Sequence, residues 1–336
     1  MRALLLLIVA TALWAQPAPI TARRHTAAER YELFKNNLSV RAAAITREQF
    51  RGISNLEDWK RRRPEVRRQF LDMLGLDPRP ARTPLNARIT GGFERDGYRV
   101  QNIVFESQPG LYVTGNLYLP RSAEAPAGFP AIVYVSGHSP GPAGAKFHYQ
   151  HHGIWFARQG YVALVLDTIE FGEVPGIHHG IHNLAMWHWL SLGYTPSGVE
   201  VWNAIRALDY LETRSEVDAS RSAITGISGG GGEPGDGAAA ADDRFQVAAP
   251  VCATWAVEPH VAGDVVRQNC DCIYFWNSYQ LDLPIVGALI APRPLKIISA
   301  SKDGAFPPSG YKLVYQQLRH VYDWYGAADK LAEFDA

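Results

Sequence analysis

The sequence predicts an α/β architecture: a mostly parallel sheet with antiparallel leading strands, preceded by a helical extension. Three observations predict it. Strand-like runs from Ala87 onward are joined first by hairpin turns and then alternate with helical stretches. The run Ile224-Thr225-Gly226-Ile227-Ser228-Gly229-Gly230 carries an apolar strand directly into a serine flanked by glycines. The residues before Ala87 carry apolar side chains at helical spacing and no strand pattern.

Taken in order, Met1-Arg2 is followed by the apolar run Ala3 to Ala10 and a small residue at Ala15. A basic start, a short apolar core and a small residue are the pattern of a secretory signal peptide. Residues 1–15 are therefore expected to be cleaved, and the mature protein to be exported, secreted or periplasmic, with no membrane anchor. Residues 16–86 read as a helical extension, with apolar spacing in Glu29 to Phe34, Arg47 to Ile53 and Trp59 to Leu74. The basic run from Lys60 to Arg63, with Arg67 and Arg68, is interleaved with Glu57, Asp58 and Glu65 and reads as a solvated helix face. Over 336 residues the chain is 47% hydrophobic, 20% charged and formally neutral, which gives no electrostatic footprint for nucleic acid.

Residues 87–336 form the main domain in this reading. Ala87 to Glu94, Tyr98 to Glu106 and Leu111 to Leu119 are strand-like, with turn signals at Asp96-Gly97 and Pro109-Gly110 between them. Ala131 to Val135 and Tyr161 to Asp167 are buried strands separated by a helical stretch from Phe147 to Gln159, a βαβ unit. The helix Val199 to Thr213 precedes the serine strand. Phe245 to Val251, Leu295 to Ala300 and Lys330 to Phe334 are the later strands, and a helix from Pro307 or Pro308 to Tyr325 lies before the last. Antiparallel leading strands followed by alternating β and α make the α/β-hydrolase architecture.

In that architecture Ser228 is the nucleophile of a G-x-S-x-G elbow. A hydroxyl needs a base to become a useful nucleophile, and a sharp turn lifts it clear of the sheet. The triad order is Ser, acid, His. Asp303, in the turn after Leu295 to Ala300, is the expected acid, with Glu258 in reserve. The base belongs after the last strand. No histidine follows that strand up to Ala336, so it is expected beyond Ala336, and catalysis by the sequence as it stands is expected to be crippled. His320 falls within the final helix and reads as a helix-face residue. Oxyanion donors are expected at the Gly229 N–H and at the His138 N–H, with Ser139 next. The His138 side chain either touches substrate or packs.

Gly176-Ile177-His178-His179-Gly180-Ile181-His182 places three histidines in five residues. Glycines make this a loop, and no i, i+4 His pair with Glu appears, so no metal is expected. Cys270-Asp271-Cys272 likewise lacks a second Cys or His pair at zinc-ligand spacing. His178, His179, Trp187, Trp189 and Tyr194 are candidate substrate-binding residues of a lid, or else the filling of a satellite core. The remaining cysteine, Cys252, reads as a small buried hydrophobe, and one disulfide among the three is permitted in an oxidising compartment. The stretch Gly229 to Gly237, with Pro234, is poor in helix propensity, so the helix after Ser228 is expected to start late, near Ala238, or to be partly melted.

Several further stretches carry a resemblance. They are Thr83-Pro84-Leu85-Asn86-Ala87, Gly110 to Tyr118, Gly176 to Gly180, Gly193-Tyr194-Thr195-Pro196, Ala204 to Leu211, Gly226 to Gly231 and Ala291 to Leu295. Together they resemble the bacterial acetyl xylan esterase-like family of secreted α/β hydrolases. The resemblance implies Ser228 as nucleophile, Asp303 as acid and ester hydrolysis without a cofactor, often on acetylated carbohydrate. The expected partner is a small-molecule or polysaccharide ester. Two other readings remain: a serine peptidase of the same fold, or an inert carbohydrate-binding protein on a hydrolase scaffold.

Overall fold

The computed structural model describes residues 24–121, 125–139, 141, 143–265, 270–273 and 278–336. Residues 1–15, expected to be a signal peptide, lie outside the described residues. Among them, nine strands form one mixed sheet in the order β1-β2-β3-β5-β4-β6-β7-β8-β9. The strands are β1 (Arg88–Arg95), β2 (Tyr98–Gln108), β3 (Leu111–Pro120), β4 (Phe129–Val135), β5 (Val162–Leu166), β6 (Val217–Ile227), β7 (Val247–Val251), β8 (Leu295–Ser299) and β9 (Leu331–Asp335). β1, β2 and β3 pair antiparallel, through turns in which Gly97 and Gly110 adopt positive φ. From β5 across to β9 every pairing is parallel. The carboxyl ends of β4 to β9 therefore lie on one edge of the sheet.

The helices are α1 (Ala27–Glu48), α2 (Leu56–Met73), α3 (Ala145–His148), α4 (Gln150–Arg158), α5 (Gly180–Leu184), α6 (His188–Leu192), α7 (Pro196–Glu212), α8 (Ser228–Ala241), α9 (Val257–Ala262), α10 (Leu283–Gly287) and α11 (Pro308–Trp324). Among the described residues no helix is long and apolar enough to cross a membrane. Thr26 closes a capping box with Glu29 at the start of α1, and the helix runs without a break to Glu48. The helical pattern of Arg47 to Ile53 is therefore the end of α1 and a turn. α2 turns Trp59, Val66 and Phe70 fully into the core. Its basic run is not wholly solvated. Arg67 grips Asp243 through two 2.6 Å hydrogen bonds, and Arg63 reaches the Leu289 carbonyl. A bidentate guanidinium–carboxylate pair is the strong form of this contact, so these charges dock α2 on the sheet domain.

α8 begins at Ser228 itself and continues through Pro234 to Ala241, in contrast to the late start expected from propensity. Burial explains the difference. Ala238, Ala239, Ala240 and Ala241 are buried against the sheet, and a Cβ on Gly237 would lie 2.9 Å from Val201 Cγ2 and 3.4 Å from Phe70 Cζ. Small residues let α7 and α2 approach this helix closely, and packing overrides a weak local preference.

Candidate active site

Ser228 stands where β6 becomes α8, with φ at +66°. A side chain in the left-handed region costs of order 1–3 kcal/mol, and such strain clusters at functional sites. Glu170, beyond β5, and Cys252, just after β7, also have positive φ, so three strained residues lie beyond the carboxyl ends of parallel strands at this edge. Ligands of open α/β sheets bind at this edge.

The loop after β4 presses on the elbow. A Cβ on Gly137 would lie 2.5 Å from the Ile227 carbonyl oxygen, 3.0 Å from Ser228 Cβ and 3.1 Å from the Tyr149 hydroxyl. Only glycine fits there. Thr168 holds this loop from the β5 side by donating to the Ser136 carbonyl at 2.6 Å. His138 and Ser139, the candidate donors, follow directly, and Ser139 is buried. Among the described residues no imidazole is hydrogen-bonded to the Ser228 hydroxyl. His320 is exposed on α11.

Asp303 sits in the turn after β8. Its carboxylate accepts from the Ala305 N–H at 2.8 Å and the Phe306 N–H at 3.2 Å, which fixes its orientation. Burial, with the Asp303 carboxylate beside it, pushes the Cys252 thiol pKa up. Cys252 is thus half-buried next to the candidate acid rather than in the core. β6 and β8 flank β7, so the strands leading to Ser228 and to the Asp303 turn lie two strand spacings, about 10 Å, apart. Glu258 lies on α9, where its N–H donates to Thr46 Oγ1 at 3.0 Å and ties α9 to α1.

The aromatic and histidine residues divide. Trp187 is exposed, whereas Trp189 is buried against Gly180 and stacks edge-on to Tyr194 at 4.7 Å. His178 is fully buried. Its Nδ1 meets Glu200 Oε1 at 3.0 Å and its Nε2 meets Cys272 Sγ at 3.2 Å. Burial disfavours the charged imidazole, but the Glu200 carboxylate outweighs it and holds the His178 pKa up at about 10. His179 is held by Glu170, whose carboxylate accepts the His178 and His179 N–H groups at 2.6 and 2.8 Å.

His138 packs its ring 4.2 Å from that of His178 and 5.0 Å from that of His179, and burial pushes its pKa down to about 4. Cys270 and Cys272 bring their sulfurs within 2.9 Å of each other. Their hydrogen bond, with help from His178, pulls the Cys270 thiol well below its ordinary pKa. Cys270 Sγ also lies 3.6 Å from the place a Cβ on Gly229 would take, so this group borders the elbow. Sequence spacing gave no hint of this quartet. Its members come from three loops, and only the clustering of His and Cys around residues 176–182 and 270–272 was visible.

No family model matches the chain. It is 25% identical over 281 residues to "Putative hydrolase YtaP" of Bacillus subtilis (strain 168), covering 80% of this chain and 90% of that protein. Among solved structures, a putative acetyl xylan esterase from Bacteroides fragilis superposes with a TM-score of 0.68 at 16% identity, covering 94% of this chain and 83% of that one. The methylesterase BT1017 gives 0.65 at 23% identity over 90% of this chain, which spans 63% of the methylesterase's length. These likenesses bear out the fold expected from the motifs: the chain has the α/β-hydrolase fold.

Proposed function

We propose that the protein is a serine ester hydrolase that acts through an acyl-enzyme on short acyl esters, acetyl groups of polysaccharides such as acetylated xylan among them. The observation that carries this reading is the strained Ser228 at the strand-to-helix turn, wedged against Gly137. Ser228 Oγ attacks the ester carbonyl carbon, and the alcohol leaves as the acyl-enzyme forms. Negative charge then develops on the carbonyl oxygen. The Gly229 N–H, at the start of α8, and the His138 N–H are the proposed donors to it. Removing one such donor costs about 10²–10³ in turnover.

Asp303 is the proposed acid, orienting the general base and stabilising it when protonated. The proposed place of that base is the connection leaving β9, a reading supported by the pairing of Asp335 with Ser299 and by the Ser301 N–H donating to the Ala336 carbonyl beside the Asp303 turn. Export through the leader suits a polysaccharide ester as substrate. The kinds of ester named for the structural neighbours, acetyl xylan and methyl esters, support the class of reaction and leave the acyl group to experiment.

A second reading, an inert hydrolase scaffold, is favoured by one observation: no imidazole among the described residues reaches the serine. Hydrolysis of p-nitrophenyl acetate by the protein expressed from its complete reading frame separates the two. Turnover that disappears in Ser228→Ala supports the esterase. Absence of turnover on acetyl esters, or equal turnover in Ser228→Ala, supports the scaffold.

A further inference from the structure

We propose that His138, His178, Cys270 and Cys272 form a tetrahedral metal site, suited to Zn²⁺, that fastens the loop after β4 beside the serine elbow. One ligand atom from each, an imidazole nitrogen or a sulfur, lies within 4.8 Å of all the others. Zinc bonds of about 2.0–2.3 Å make a tetrahedron with edges of roughly 3.3–3.8 Å. The Cys272 Sγ to His178 Nε2 separation is 3.2 Å, and the two sulfurs are 2.9 Å apart. Shifts of roughly an ångström bring all four atoms onto one ion. Two imidazoles and two thiolates select a borderline-soft ion over Mg²⁺ or Ca²⁺, which take oxygen ligands.

Three independent features point to a ligand. His138 Nε2 is buried with no hydrogen-bond partner among the described residues, an arrangement a ligand would relieve. His178 turns Nε2 toward Cys272 while its Nδ1 is held by the buried Glu200 carboxylate. A carboxylate behind the imidazole is the usual support of a metal-binding histidine. Asp271, between the cysteines, accepts from the Ile181 N–H at 2.7 Å and the His182 N–H at 3.2 Å. It thereby locks the Cys270-Asp271-Cys272 segment onto the start of α5, with its flanking sulfurs toward the histidines.

Four protein ligands close the site, so the ion holds structure and does not activate water. The ligands come from the loop after β4, the loop after β5 and the segment between α9 and α10, three connections at the same sheet edge. Cys270 also touches the Gly229 side of the elbow. The ion would clamp both backbone segments offered as oxyanion donors. That consequence rests on the esterase reading; the metal site itself does not.

The test is metal uptake by the reduced protein, followed by desalting, elemental analysis and Co²⁺ absorption spectroscopy. The expected result is one Zn²⁺ or Co²⁺ per chain, with thiolate-to-cobalt charge transfer and the intense visible bands of tetrahedral cobalt. Cys272→Ser and His178→Gln should each weaken binding tenfold or more, and Cys252→Ser should not. Should either variant fail to fold, competition between the wild-type protein and a zinc-chelating dye decides alone. Failure of the reduced wild-type protein to retain metal, an octahedral cobalt spectrum, or unchanged binding in Cys272→Ser overturns the site. So does a Cys270–Cys272 disulfide in the isolated protein with no metal uptake after reduction. Ser228→Ala should bind metal fully while losing ester hydrolysis, so failure of one reading leaves the other standing.

Discussion

Gly137 stands so close to Ser228 that a methyl group on it would lie 3.0 Å from the serine Cβ. The loop after β4 and the elbow after β6 are therefore one rigid unit, and the serine's positive φ is held in place by contact rather than by preference.

Gly137→Ala must push the Ile227 carbonyl oxygen, 2.5 Å from the new methyl, out of line. Acetyl ester hydrolysis should fall by about 10² or more in kcat/KM, the loss expected when an oxyanion donor is misplaced. Gly141→Ala is the control, because among the described residues a Cβ there meets only Ser139 Oγ at 3.9 Å. It should behave like the wild type. Equal activity in the two variants would separate this loop from catalysis.

Asp303→Asn keeps one acceptor for the Ala305 and Phe306 N–H groups, so the turn should survive. Turnover should fall by about 10⁴, the cost of leaving the base in the wrong tautomer. Glu258→Gln should cost much less. The reverse order, read from steady-state kinetics of the two variants, would transfer the acid role to Glu258.

Asp236, in α8, is buried with one carboxylate oxygen lacking a partner among the described residues, and burial raises its pKa from 3.8 to about 7. The folded state then keeps a proton that the unfolded state loses between those values. The Asp236 contribution to stability falls as pH rises from about 4 to about 7, because at this group the folded state binds more protons across that window. Asp236→Asn removes this fall. It should match the wild type near pH 4 and exceed it near pH 8 by a few kcal/mol, at about 1.36 kcal/mol per pKa unit. Thermal or urea unfolding at the two pH values measures it, and a gain equal at both would refute the assignment.

Phe70 of α2 is fully buried and lies under Gly237 of α8. Phe70→Ala opens a cavity beneath the elbow helix and should destabilise the protein by about 3–5 kcal/mol, measured by denaturant unfolding. A loss below 1 kcal/mol would mean that the helical extension is only loosely joined to the sheet domain.

The sheet was legible because its signals are local. Asp96-Gly97 and Pro109-Gly110 marked two hairpins, and the apolar runs at Ala131 and Val162 are strands buried on both faces. Ser228 was legible because glycines flank it at the end of such a strand. α8 was misread from its glycines and proline, whose low propensity is overcome by close packing on α7 and α2. Arg63 and Arg67 resembled a solvated face because their partner, Asp243, lies far along the chain. The quartet of His138, His178, Cys270 and Cys272 was hidden for the same reason: ligand spacing rules detect sites made within one segment, and this one joins three loops.

The proposed esterase activity requires Ser228 Oγ to be a nucleophile. A fluorophosphonate probe, which reacts with an activated serine, tests it on the protein expressed from its complete reading frame, with the adduct located by peptide mass spectrometry. The expected result is a single adduct on the peptide containing Ser228, abolished in Ser228→Ala and blocked by prior exposure to an acetyl ester. Labelling at another residue, or none at Ser228 in a folded protein, would contradict it.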